Sequence, residues 1–154
     1  MLPVTEFNYK FPKDKLQTEL DHIYKRKLYK ESELGIDFYN LPYPSGILNK
    51  TLVDFTIHYN IISRCTAYYY VIEPNRFLIP HLQQETSAAV NIMLDNNYMP
   101  ISFTSGEYYC NQAAIDVQDV HWIRSSKERR MALRFSFYDL DYEQLVRILN
   151  AEAY

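Results

Sequence analysis

Between residues 12 and 29 the apolar residues Leu16, Leu20, Ile23 and Tyr24 recur at helical spacing, with charged residues between them. That pattern predicts an amphipathic helix with Pro12 in its first turn. Gly35, Pro42, Pro44 and Gly46 then mark irregular chain. Residues 51–62 read two ways. Leu52, Phe55, Tyr59 and Ile62 fit one helix face, whereas the β-branched and aromatic content fits a strand. The spacing tips the reading to helix.

After Ser63 the pattern changes to short apolar runs separated by polar breaks, over residues 66–72, 77–81, 87–94, 100–104, 107–110, 113–117, 120–124 and 130–138. Short strands at regular spacing predict an antiparallel sandwich or barrel. A last helix is expected near Asp141, where Asp141 and Gln144 form a capping-box pattern and Leu145, Ile148 and Leu149 give one apolar face. Helices first, about eight strands and one closing helix read as a mainly β fold with flanking helices. The architecture expected is a jelly roll, the cupin-like double-stranded β-helix. One domain over residues 1–154 is expected, with a helical and irregular part at 1–62, the jelly-roll core at 63–138 and the closing helix at 139–154.

Composition narrows the function. At 154 residues and 47% hydrophobic content the chain can fill one core and is not disordered as a whole. Its 16 basic and 19 acidic residues give a net charge of −3, which makes no electrostatic case for nucleic acid or an anionic membrane. Its three glycines, Gly35, Gly46 and Gly106, exclude a glycine-rich phosphate loop. Two cysteines, Cys65 and Cys110, make neither a disulfide framework nor a four-thiolate zinc site. With no signal-peptide pattern and no apolar run of spanning length, the expectation is a soluble cytoplasmic protein, or a virion protein if of phage origin.

Four histidines are present. His22 falls on the first helix and His58 in the ambiguous segment, without an obvious partner. His81 and His121 fall on predicted strands, which a jelly roll can bring together across its mouth. The run Phe77-Leu78-Ile79-Pro80-His81-Leu82-Gln83, then Ala88-Ala89-Val90-Asn91-Ile92-Met93-Leu94, resembles the core of the Fe(II)/2-oxoglutarate dioxygenases. The resemblance is closest to the aspartyl/asparaginyl and prolyl hydroxylase-like proteins of bacteria and phages. That family has a strand ending in His-x-Asp and, further on, a second metal histidine, here in Val120-His121-Trp122-Ile123. About nine residues later an arginine opens the last core strand, here Arg130-Met131-Ala132-Leu133-Arg134-Phe135-Ser136-Phe137. The resemblance covers 63–138, about half the chain.

It implies an Fe(II) site with His81 and His121 as ligands, and an arginine holding the far carboxylate of 2-oxoglutarate. Alternation on the last strand puts Arg130, Ala132, Arg134 and Ser136 on one face and Met131, Leu133, Phe135 and Phe137 on the other. Arg130 is the first choice for the cosubstrate clamp, with Arg134 and Arg129 as fallbacks, and Asn91 is expected in the lumen. Tyr68, Tyr69 and Tyr70 are expected to combine strand packing with one lumen-facing hydroxyl, and Trp122 to be core.

The departure from the family falls at the metal carboxylate, where His-x-Asp reads His81-Leu82-Gln83. A neutral amide is a weaker ligand and offsets none of the ion's charge. Glu85 and Asp119 are candidate substitutes by strand alternation. A second departure is Ala132, where several relatives carry Ser or Thr. The expectation is an oxygenase-like protein degenerate at its metal site, in which Gln83→Asp raises iron affinity. Its partner would be a small molecule or a protein side chain if it is an enzyme. The alternative is a non-catalytic structural or binding protein of phage or virion type, without cofactor, that meets another protein.

Overall fold

In the computed structural model, residues 1–26, 30–31, 37–39, 46–83, 85–95 and 100–151 are described. The irregular stretch expected around Gly35, Pro42 and Pro44, and the end of the first helix at Tyr29, lie outside the described residues.

The chain opens with strand β1 (Val4–Glu6) and helix α1 (Lys13–Lys25), followed by β2 (Lys30–Glu31), β3 (Asp37–Tyr39) and helix α2 (Ile47–His58). Strands β4 (Cys65–Ile72), β5 (Leu78–His81), β6 (Ala88–Met93) and β7 (Pro100–Phe103) come next. β8 (Gly106–Tyr109), β9 (Gln112–Ile115), β10 (His121–Ile123), β11 (Arg130–Phe137) and helix α3 (Tyr142–Ala151) complete the order.

Helix α1 buries Leu16, Leu20 and Ile23 on the predicted stripe and is capped at its end by Arg26. The ambiguous segment is helical as far as His58, and it begins earlier than its apolar spacing implied; Tyr59 caps its end, and Ile62, expected on the same face, lies beyond the helix and is exposed. Gly46 caps α2 without a side chain. The carboxylate of Glu19 takes over that role, accepting hydrogen bonds from the Ile47 and Leu48 amides at 2.7 and 3.0 Å. An acidic group at a helix N-terminus satisfies free amides and complements the helix dipole. The Tyr69 hydroxyl donates to the same carboxylate at 2.8 Å, tying α1, α2 and β4 together.

Among the described residues the strands form two antiparallel sheets. One runs β1-β9-β6-β11-β4-β3-β2 and the other β5-β10-β7-β8. Two facing sheets of this kind make the double-stranded β-helix. β1, β2 and β3 lie in the part expected to be helical and irregular, and they extend both edges of the larger sheet. Runs of two or three residues are too short to show a periodicity.

Alternation along β11 separates two cores. Leu133, Phe135 and Phe137 join the cluster under the helices, with Phe11, Phe55 and Leu145. Ala132 joins the cluster between the sheets, with Tyr70, Ile101, Phe103 and Ile123. The face carrying Arg130, Ala132, Arg134 and Ser136 is therefore the lumen face. Tyr68 and Tyr70 pack on the lumen side and Tyr69 on the helix side. No helix among the described residues is long and apolar enough to cross a membrane.

Candidate functional site

Strand β5 ends on His81 and β10 begins on His121, and the two residues are direct cross-strand partners. Their rings lie 4.3 Å apart between centroids, tilted by 53°. Each ring is fixed by its own strand. Nδ1 of His81 meets the Ile79 carbonyl at 2.8 Å, and Nδ1 of His121 meets that of Asp119 at 2.7 Å. A carbonyl only accepts, so each Nδ1 carries the hydrogen and each Nε2 keeps its lone pair. His121 is 1% exposed, and its Nε2 is buried without a hydrogen-bond partner. Burial lowers the His121 pKa to about 4 against the opposing Asp119 carbonyl, and the charges of Arg134 and His81 push the same way. Burial also lowers the His81 pKa.

Gln83 follows β5 and is held by its backbone amide on the Val117 carbonyl at 2.9 Å. Its side-chain oxygen accepts a hydrogen bond from Nη1 of Arg134 at 3.2 Å. Nε of Arg134 donates to Oδ1 of Asn91 at 2.7 Å, and these two residues face each other across β11 and β6. The guanidinium carbon stands 5.8 Å from the Tyr70 ring centroid. Arg134 is 5% exposed and Asn91 2%. The buried polar and charged residues described include no Asp or Glu, so the cation rests on neutral amides and an aromatic ring.

Arg130 opens β11 on the same face. It is half-buried, and its Nε and Nη1 are buried without hydrogen-bond partners. Burial, then the charge of Arg124, lowers its pKa. Arg129 instead pairs with Glu73 at 3.3 Å and packs over the Tyr24 ring at 4.6 Å, which removes it as a fallback for the lumen. Trp122 is half-buried rather than core.

The two acids expected as substitute ligands do not complete the site. Glu85 is exposed and lines a surface depression with Arg64, Cys65, Thr66 and Tyr138. Asp119 contributes its backbone carbonyl to His121. Among the described residues no three His, Cys, Asp or Glu side chains are grouped to hold a metal ion. A strand that stayed straight beyond Gln83 would have kept Glu85 on the face of His81, but the chain leaves the sheet after His81.

The donor set therefore fits the family's iron only in part. Two Nε2 lone pairs in one place suit a divalent ion. The third position carries a neutral amide already engaged by a guanidinium, so the site has a fixed positive charge and, among the described buried residues, no negative one. Such a set does not fit Fe(II) held by two imidazoles and a carboxylate.

No protein-family model and no curated protein matches the chain. Solved structures do match its fold. A prolyl-4-hydroxylase from Pseudomonas putida is similar at a TM-score of 0.66 and 11% identity, over 88% of this chain and 92% of that one. A prolyl hydroxylase from Trichoplax adhaerens, in complex with a hypoxia inducible factor peptide fragment, gives 0.69 and 11%, over 92% and 85%. The viral collagen prolyl hydroxylase of Paramecium bursaria Chlorella virus-1, in its 2OG complex, gives 0.62 and 7%, over 91% and 97%. The chain thus shares the double-stranded β-helix of the prolyl hydroxylases and 2-oxoglutarate–Fe(II) oxygenases. At these identities the likeness is one of fold.

Sequence reasoning ranked Arg134 behind Arg130 and had no sign of its bond to Gln83. The signal was limited to alternation on β11, which gives a face but not what stands opposite.

Proposed function

We propose that this protein is an oxygenase-fold protein that has given up iron chemistry and works by binding in its lumen. The observation that carries the reading is the hydrogen bond from Arg134 to Gln83. Where the fold's enzymes would need a carboxylate to offset a divalent ion, this chain has an amide turned to a buried cation. Like charges in a partly dry lumen repel strongly, and an Nε2 lone pair on each imidazole does not compensate for that. His81 and His121 then serve as neutral, hydrogen-bonded lumen residues, and Gln83 and Asn91 orient Arg134.

The lumen keeps a carboxylate-holding group. Arg130 stands where the resemblance puts the cosubstrate clamp, with two buried nitrogens free to donate. The 2OG complex of the viral relative supports a small carboxylic acid as the ligand class. The peptide complex of the Trichoplax protein supports a protein segment as partner at the barrel mouth.

The test is an anaerobic titration of purified protein with Mn(II) and Fe(II), and a separate assay in air of succinate formation from 2-oxoglutarate with Fe(II) added. We expect no stoichiometric metal binding and no succinate. A one-to-one metal complex with 2-oxoglutarate turnover would overturn the proposal.

A further inference from the structure

We infer that the outer face of the smaller sheet, at its edge strand β5, is an interface between two copies of this chain, related by a two-fold axis that sets the two β5 strands antiparallel. The contact lies outside the lumen and does not depend on what the lumen binds.

The helices pack on the larger sheet, and the smaller sheet stays open at β5, whose one strand partner is β10. Leu78 and Ile123 turn inward and join the cluster between the sheets. Their neighbours Phe77, Ile79 and Trp122 therefore turn outward. Phe77 is 54% exposed, and Ile79 and Leu82 42% each, with Trp122 half-buried beside them. Apolar residues exposed singly are ordinary, whereas several on one strand next to a tryptophan mark a contact surface.

The backbone edge of β5 is blunted. Pro80 has no N–H, and the Ile79 carbonyl accepts from Nδ1 of His81 at 2.8 Å. Both disfavour the addition of a further strand, so side chains make the contact, sheet face on sheet face.

Charge selects the occupant and its direction. Arg76 precedes Phe77, and Arg124 follows Ile123, the partner of Leu78. The Asn75 amide donates to the Ser126 carbonyl at 2.6 Å, which brings the loop of Lys127 and Arg129 to the same end. Of the acids there, Glu107 pairs with Arg124 and Glu73 with Arg129. With Glu128 and Arg130 counted as well, that end keeps a net positive charge. The other end is acidic. Glu85 is exposed beyond Leu82, and the Gln83 amide on the Val117 carbonyl at 2.9 Å holds the loop of Asp116 and Asp119 alongside. Among the described residues no ion pair engages Lys127 or Glu85.

A surface that is apolar in the middle, basic at one end and acidic at the other complements a copy of itself turned end for end. A two-fold axis across the strands brings Ile79 near its own copy, Phe77 toward the second copy's Leu82, and Lys127 toward the second copy's Glu85. The parallel arrangement would set like charges against each other.

The experiment is sedimentation velocity of the full chain over a concentration series, at low and high salt. The expected result is a monomer–dimer equilibrium with a Kd on the order of micromolar, weaker at high salt. Ile79→Glu, which places two carboxylates at the axis, should weaken the dimer by about tenfold or more. Lys127→Glu should weaken it by about threefold to tenfold, and combining it with Glu85→Lys should restore it. Urea denaturation checks that each variant is folded. If Ile79→Glu is not, Leu82→Ser, just beyond the strand, takes its place. Wild type that stays monomeric at hundreds of micromolar overturns the inference and assigns the face to a partner of another kind. A dimer that survives both Ile79→Glu and Leu82→Ser also overturns it, because the contact is then elsewhere. Failure of Glu85→Lys to rescue Lys127→Glu overturns the antiparallel arrangement.

Discussion

Gln83 and Arg134 meet at 3.2 Å, the amide oxygen of one accepting from the guanidinium of the other, although 51 residues separate them in the chain. The pair links the loop after β5 to the middle of β11, and it ties the departure at position 83 to a buried cation. An Asp at position 83 would stand beside a cation and pair with it, leaving little of its charge for a metal.

The Gln83→Asp variant alone is therefore expected to gain little affinity for Mn(II), which amends the expectation drawn from sequence. The double variant Gln83→Asp with Arg134→Thr removes the competing cation. Its Mn(II) affinity should exceed that of the single variant on the order of tenfold to a hundredfold, given the size of charge repulsion at short range. Titration followed by electron paramagnetic resonance measures both. A single variant that binds as tightly as the double would show that Arg134 exerts no such repulsion.

The fold was legible where periodicity ran long enough. Eight residues of β11 alternate cleanly, so both its faces could be assigned, and the structure puts them in two different clusters. The three residues of β1 carry no such signal, and only pairing with β9 makes them a strand. The approach of His81 to His121 was foreseeable from fold resemblance, because two named strands had to be neighbours. The bond from Arg134 to Gln83 was not, because it depends on how the chain turns after His81. Local pattern does not encode that turn. The same turn carries Glu85 out to the surface depression beside Cys65 and Thr66.

The capping box of α3 gives a local test. The Gln144 amide donates to Oδ1 of Asp141 at 2.8 Å, and the Asp141 amide donates to Oε1 of Gln144 at 2.8 Å. Asp141→Ala leaves the Gln144 amide without that acceptor and should cost about 1 kcal/mol. Urea denaturation of the two proteins measures it. A loss near zero would mean that solvent serves the helix end equally well.

Phe55 anchors α2 to the sheet. It is fully buried and packs against Phe11 at 5.7 Å, Tyr59 at 4.9 Å and Phe135 at 5.3 Å between ring centroids. Phe55→Ala should cost about 3–5 kcal/mol, the transfer free energy plus a cavity that the surrounding rings cannot close. The same denaturation experiment reports it. Because the lumen lies on the other side of β11, ligand binding by the folded fraction should be unchanged.

The last prediction concerns acid. In the folded chain burial lowers the His121 pKa from its ordinary 6.5 to about 4. Between those values the unfolded chain binds the extra proton and the folded chain does not, so stability rises with pH across that window. The contribution is complete above pH 6.5 and is lost as pH falls from there toward 4. Between pH 7.5 and 5 it amounts to about 2 kcal/mol. His81, also lowered by burial, adds to the same slope. The raised pKa of Asp116, again from burial, acts in the opposite sense as its carboxyl titrates. His121→Gln keeps a neutral polar side chain and removes the titration. Urea denaturation of wild type and His121→Gln across this range should show a shallower pH slope in the variant, whatever the absolute cost of the substitution. Equal slopes would mean that His121 takes up its proton in the folded protein near its ordinary pKa. The lumen would then carry a further cation, besides Arg130 and Arg134, at mildly acidic pH.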